Sequence, residues 1–356
     1  MLAAPAQIPL QNDELGQRDT VAWSETQDGG EWDDFVTENG GSVFHSWSWR
    51  KVLEDNQLKP FYLVCRDGEG RILAVCPFFY RAGRRLQYLD SLPDTFSAGP
   101  IIGSLATDKP EILAALPKSV KFSLLNPVAA MVIRTHRQEV IDEMVALGFQ
   151  HAAKHGFFIL DLQKTTPEHI WTNGFKKHDR QAVKYYDQGT RFEFADDERD
   201  YLALARPDWK VYKGRVFRAE SVSRIRAIMG DQVRLALITD SNGTALGGFL
   251  MLFDPPGPKS CVHLMWIKHA PERNIHSVVT LIDWKAINWA HDRGFRYINL
   301  GPYPMLGSSK PGHPFYKLKE RFEVTPVPRY EFVVPVSSVS YSIARRISRL
   351  LHGPGD

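Results

Sequence analysis

The chain has 356 residues, 43% of them hydrophobic and 24% charged, with a formal net charge of +3. That length suffices for two domains of ordinary size, and the balanced charge permits an anionic partner without demanding one. No apolar run reaches the roughly eighteen residues of a spanning helix, and the polar stretch over residues 1–30 reads as a flexible extension, not a secretory leader.

Beyond residue 30, the segment VFHSWSWRKVLEDN reads as an amphipathic first helix. Its Trp47 and Trp49, next to His45, suit either a substrate groove or the core. From Leu63 an apolar run, a turn with Asp67, Gly68 and Gly70, and a second apolar run spell a β-hairpin. A helix from Lys109, a strand over Lys121–Pro127 stopped by its proline, a helix over Gln138–Phe149 and a strand from Phe157 complete a first domain, residues 31–164.

A connecting helix follows over Phe175–Tyr186. It sets Lys176, Arg180 and Lys184 at i, i+4 spacing with Lys177 beside them, a stripe of cations behind Trp171. Such a stripe suits phosphates of a nucleotide-linked acceptor, a carrier thioester or an RNA, and equally a solvated basic face. A second helix is predicted over Lys213–Met229. From Leu235 the hairpin returns, with Asp240, Asn242 and Gly243 in its turn. A strand Cys261–Lys268 carrying Trp266, a helix from His276 and a strand Arg296–Pro302 come next. Tyr303 follows at the strand end, where α/β sheets bind ligands. The segment FYKLKERF over residues 315–322 and a strand from Tyr330 close a second domain, residues 165–335.

The tail, residues 336–356, sets Val339, Ile343, Ile347 and Leu350 at helical spacing beside Arg345, Arg346 and Arg349. It reads as a basic amphipathic helix for an anionic membrane surface or for the protein's own body. Cys65, Cys76 and Cys261 read as inert core thiols. No Cys/His spacing matches a zinc site, so no metal is expected.

The two halves repeat each other. Leu63 and Leu235 open the same hairpin 172 positions apart, Lys121 and Arg296 open matching strands 175 apart, and Phe149/Phe322 and Phe157/Tyr330 recur at 173. Four matches in one order at nearly one offset indicate duplication of a hairpin–helix–strand–helix–strand unit, an α/β fold.

Three segments in this order, VFHSWSWRKVLEDN, then Trp171 with Phe175, Lys176, Lys177, Arg180 and Lys184, then HPFYKLKERFE, resemble the FemAB-like branch of the acetyltransferase-fold superfamily, over roughly residues 41–334. The resemblance implies two tandem acetyltransferase-like (GNAT) domains, mixed central sheets flanked by helices. It also implies transfer of an acyl or aminoacyl group to an amine, as in building a cell-envelope precursor. In the closing motif it makes Lys319 the cation that meets the developing oxyanion, with Lys317 beside it. His313 next to the motif is the candidate proton acceptor. The motif departs from the family at Leu318 and Glu323, and the long helical arm of some members is absent.

Acetyl-CoA-dependent relatives hold pyrophosphate in a glycine-rich loop before a helix, but the matching stretch KHAPERNIHSVV has no glycine. A donor other than acetyl-CoA is therefore favoured; the resemblance implies an aminoacyl-tRNA as co-substrate, with no resident cofactor, and acyl-CoA or an acyl carrier protein is the alternative donor, for polysaccharide or secondary-metabolite acylation. The acceptor is expected to be an anionic small molecule or lipid-linked amine, met in the cytoplasm at the inner face of the membrane. A non-catalytic protein that holds an anionic ligand or RNA is the competing class.

Overall fold

The computed structural model describes residues 21–82, 87–92, 99–120, 128–204, 222–257, 260–270, 275–304 and 326–336. The first unit opens with edge strand β1 (Ala22–Glu25) and helix α1 (Gly29–Glu38), whose N-cap Asp28 accepts from the N–H groups of Gly30 and Glu31. A 3-10 turn over Val43–His45 leads into α2 (Trp47–Asp55), capped by Ser46. The predicted hairpin forms as β2 (Lys59–Arg66) and β3 (Ile72–Ala82), followed by β4 (Gln87–Asp90) and the short β5 (Ile101–Ile102). Helix α3 (Lys109–Ala115) begins where expected, with Asp108 as its cap and proline in its first turn. Strand β6 (Val128–Thr135), helix α4 (Gln138–Ala146) and strand β7 (Gln150–Asp161) complete the unit.

The strand expected over residues 121–127 lies outside the described residues, and the strand that enters the sheet here is β6, beyond Pro127. A proline reads as a stop, yet it also fits just before a strand, where its missing N–H costs no ladder bond.

The connection folds as a single turn, α5 (Pro167–His169), a π turn over Ile170–Gly174 and helix α6 (Lys177–Asp187). The second unit then runs through β8 (Arg191–Ala195), α7 (Arg199–Ala203) and α8 (Val222–Met229). Residues 213–221 of the predicted helix lie outside the described residues. The second hairpin is β9 (Val233–Thr239) and β10 (Ala245–Phe253), followed by β11 (Cys261–His269) and the long helix α9 (Ile275–Asp292). Strands β12 (Tyr297–Pro304) and β13 (Val327–Pro335) end it.

The strands form one 13-stranded sheet in the order β1-β2-β3-β4-β6-β13-β7-β12-β11-β10-β9-β8, with β5 on β3. Read inward from either end, the series is the same: an edge strand, an antiparallel hairpin, and a parallel pair, β4/β6 or β11/β12. A parallel pair needs a crossover, and the segments carrying α3 and α9 supply it.

The duplication expected from sequence is thus present, but its two sheets are fused. Strand β7, the last of the first unit, pairs with β12 of the second, and β13, the last of the second, pairs with β6 of the first. The exchanged strands pair with each other at the centre. Each unit is completed by the other's final strand.

One face of the sheet carries α1, α2, α7 and α8 from both units over a continuous core that includes Trp32, Trp49, Tyr62, Tyr201, Leu235 and Leu250. The opposite face has two separate cores, α3 and α4 over the first half and α6 and α9 over the second. A buried ion network ties β13 into its adopted place. Arg134 of β6 binds Asp90 of β4 and, at 2.9 Å, Glu331 of β13, while Arg329 reaches Glu331 at 3.3 Å. Removing one member of a buried network strands the other charges. Arg134→Ala should therefore lower stability by about 3–5 kcal/mol in denaturant unfolding, and a change under about 0.5 kcal/mol would show that the network is dispensable.

Candidate active site

Strands β11 and β12 are paired only from Cys261–Tyr297 to His263–Asn299, after which β11 runs on to His269 and β12 to Pro304. Register shifts accompany the parting: between Gly248 and Leu250 on the β10–β11 ladder, and between Asn299 and Pro302 on β12 against β7. Gly301 makes the second one possible, because its φ of 104° lies where a side chain is strained. Among the described residues no strand pairs with this edge of β11 beyond His263. A wedge edged by backbone N–H and C=O groups results, at the carboxyl ends of parallel strands where α/β sheets bind ligands. In the first unit the β4–β6 ladder runs to the equivalent point, Asp90–Val132, with Ser91 N–H donating to Val132 O at 2.9 Å, and residues 93–98 beyond it lie outside the described residues.

A buried polar cluster fills the apex of the wedge. Asp254 Oδ1 accepts from Nε2 of His263 at 2.9 Å and from the N–H of Val43, in the first unit, at 2.8 Å. Asn299 Nδ2 lies 3.2 Å from His263 Nδ1, and Asn299 Oδ1 accepts from Gly301 N–H at 2.9 Å. Phe44 packs edge-on over the His263 ring. Burial acts to lower the His263 pKa, but Cys261 and Asp254 outweigh it and push it up to about 10. Burial raises the Cys261 thiol, against the opposing pull of His263.

Duplication puts this cluster in perspective. Asp254, Cys261 and His263 stand 173 positions after Arg81, Tyr88 and Asp90. The register agrees, since Phe79 faces Asp90 as Leu252 faces His263. Arg81 and Asp90 form an ion pair at 3.3 Å. The second unit keeps this cross-strand pair with its polarity reversed, as Asp254 and His263.

Two further histidines lie nearby in the first unit. His45 is fully buried; its Nε2 donates to Gly99 O at 3.2 Å and its Nδ1 faces Ser42 Oγ at 3.0 Å. Burial and the charge of Arg137 push its pKa down to about 3, so the ring is neutral. His136 is pushed down to about 3 by burial and by Arg137, His263 and Arg329. Sequence reading missed His263, Asp254 and Asn299, which are far apart in the chain. The signal available for them is the 173-residue offset, which sets Asp254 and His263 at the positions of Arg81 and Asp90.

The predicted residues are placed as follows. Trp49 is fully buried in the shared core against Phe44, which corrects its assignment to a substrate groove. Trp47 packs on Tyr62 and Trp32 with the Arg50 guanidinium 4.1 Å from its ring, so its indole also serves packing. Helix α6 packs on α9 in the outer layer of the second unit, where Trp171 and Phe175 meet Trp284. Arg180 donates to the carbonyls of Trp171, Thr172 and Phe175, at 3.1, 3.1 and 2.6 Å, and so closes the π turn. Those bonds commit one amino group of Arg180 to the backbone, and Lys176, Lys177 and Lys184 are exposed along the same helix. Trp266 lies in β11 and Tyr303 in β12 opposite Gly156, on the two strands that border the wedge. His313, Lys317 and Lys319 lie outside the described residues, as does the tail from residue 337.

Residues 173–318 match the sequence profile of the acetyltransferase (GNAT) domain family. Residues 173–318 therefore form an acetyltransferase (GNAT) type domain. Its architecture is the tandem GNAT fold of the FemAB-like proteins, as solved structures show. The crystal structure of FemX superimposes with a TM-score of 0.65 at 12% identity, covering 92% of this chain and 99% of that one. L-PGS from Bacillus licheniformis gives 0.56 at 12% identity, covering 93% and 99%. A tandem GNAT protein from the clavulanic acid biosynthesis pathway gives 0.55 at 11%, covering 89% and 98%. No curated protein sequence matches the chain significantly.

Two outcomes test these placements. The His45 pKa lies below its ordinary 6.5, so the unfolded chain takes up a proton first as the pH falls. Stability should therefore be full above about pH 6.5 and fall progressively toward pH 3, and His45→Gln should flatten that slope in urea melts across the window. Arg180→Ala should lower the thermal midpoint by several degrees, roughly 1–3 kcal/mol for three orphaned carbonyls, whereas Lys184→Ala should leave it unchanged.

Proposed function

We propose that this chain forms an amide by transferring an aminoacyl or acyl group to an amine in the wedge between β11 and β12. The parted strand pair carries the reading, because it lies within the segment that matches the acetyltransferase domain and, among the described residues, leaves the edge of β11 beyond His263 without a paired strand. An extended donor arm can pair along that edge as an added strand does. Trp266 and Tyr303, which belong to the two bordering strands, are the proposed substrate-binding residues of this reading. By resemblance, Lys319 supplies the cation for the tetrahedral oxyanion with Lys317 beside it, and His313 receives the proton released by the amine.

The donor proposed is an aminoacyl-tRNA. The stretch before α9 has no glycine to shape a pyrophosphate loop, while Lys176, Lys177 and Lys184 are exposed on α6 for phosphates. An acyl-CoA donor is the second reading, favoured by one observation: the tandem GNAT neighbour is described as a structure without AcCoA. The acceptor proposed is an anionic or lipid-linked amine of a cell-envelope precursor, reached in the cytoplasm at the inner membrane face through the basic tail. Among the described residues no helix is long and apolar enough to cross a membrane.

The test is incubation of the purified protein with charged tRNA, with acyl-CoA, or with neither, each against a panel of amine acceptors, and mass detection of a new amide. Amide formed only with charged tRNA is expected; transfer from acyl-CoA alone would replace the donor, and no amide with any donor would overturn the reading. Lys319→Ala should lower kcat by about 10²–10³ with little change in KM, as for loss of an oxyanion donor.

A further inference from the structure

Asp254, Cys261 and His263 bring a carboxylate oxygen, a sulfur and an imidazole nitrogen within 4.8 Å of one another. The hairpin β10–β11 builds this arrangement. Cys261 and His263 are at i and i+2 on one strand, so they share a face, and Asp254 follows the partner strand, its N–H donating to Cys261 O at 3.0 Å. We propose that these three side chains form a site for a thiophilic divalent transition metal ion, zinc foremost, at the apex of the β11–β12 wedge.

Four observations support it. The donor set mixes S, N and O, which suits zinc and its neighbours and disfavours magnesium or calcium. Its second layer is in place: Val43 N–H holds Asp254 Oδ1, and the Asn299 side chain contacts the other ring nitrogen of His263. Cys261 and His263 are buried and Phe44 roofs the ring, which limits competition from water. At the same three positions the first unit has Arg81, Tyr88 and Asp90, so the second unit alone carries three metal-binding side chains. Three protein donors leave a fourth position for water or for the second Asp254 oxygen. An ion there would tie the end of β10 to β11 beside the point where β11 and β12 part and, through Val43 and Asn299, brace it against the first unit and β12. This inference does not depend on the acyl donor or acceptor.

The test uses the full-length protein. Metal content of protein purified without chelator is measured by mass spectrometry, and chelator-treated protein is titrated with cobalt(II). About one equivalent of metal per chain is expected, with a sulfur-to-cobalt charge-transfer band that Cys261→Ser abolishes and Cys65→Ser retains. His263→Gln should weaken cobalt binding by at least about tenfold. Wild-type protein that shows no stoichiometric metal and no charge-transfer band overturns the proposal whether or not the variants fold. So does a band that survives Cys261→Ser. Amide formation unaffected by metal removal would leave the site structural without touching the proposed transfer reaction.

Discussion

The exchange of β7 and β13 is the constraint on which the rest of the structure depends. Each unit alone would end its sheet at an open edge beside its parallel pair, and a long unpaired edge is both unstable and prone to association. Passing the last strand to the other unit covers both edges and turns two sheets into one. The cost is a set of charges at the seam, since Arg134, Asp90, Glu331 and Arg329 are all buried there. They are tolerable because they pair with one another across three strands, where any one left alone would not be.

The two copies carry different side chains at the end of their parallel pair. In the first, Arg134 and the Ser91 N–H bond keep β4 and β6 joined to the end of their shared run. In the second, Asn299 turns to His263 and to the N–H of Gly301, and the strands part beyond it. The wedge is described in the second half, and residues 93–98, past the end of β4, lie outside the described residues. The half with the open pair is also the half that matches the acetyltransferase profile. The first unit contributes to the open site by contact, with Val43 and Phe44 covering Asp254 and His263.

Much of the fold was legible because it rests on local periodicity. The two hairpins, α3, α4, α6 and α9 lie where apolar spacing and turn residues placed them, and the duplication followed from their order. Strand β6 was missed because Pro127 looks the same before a strand as after one. The site was less legible. Trp49 and Arg180 attract attention as an aromatic and a cation, but a buried face claims one and three backbone carbonyls claim the other. Neither demand is written in the spacing of the residues themselves.

By itself the sequence determined the class of the fold, the presence of two copies and the family resemblance, because these depend on repeated short-range patterns that survive in each copy. Tertiary structure alone decided which strand completes which sheet, which parallel pair parts, and that Asp254, Cys261, His263 and Asn299 meet under Phe44. Pairing between strands more than a hundred residues apart is a choice among near-equivalent hydrogen-bonded ladders. It is settled by burial and by the ion network across the seam, which exist only once both units are folded together.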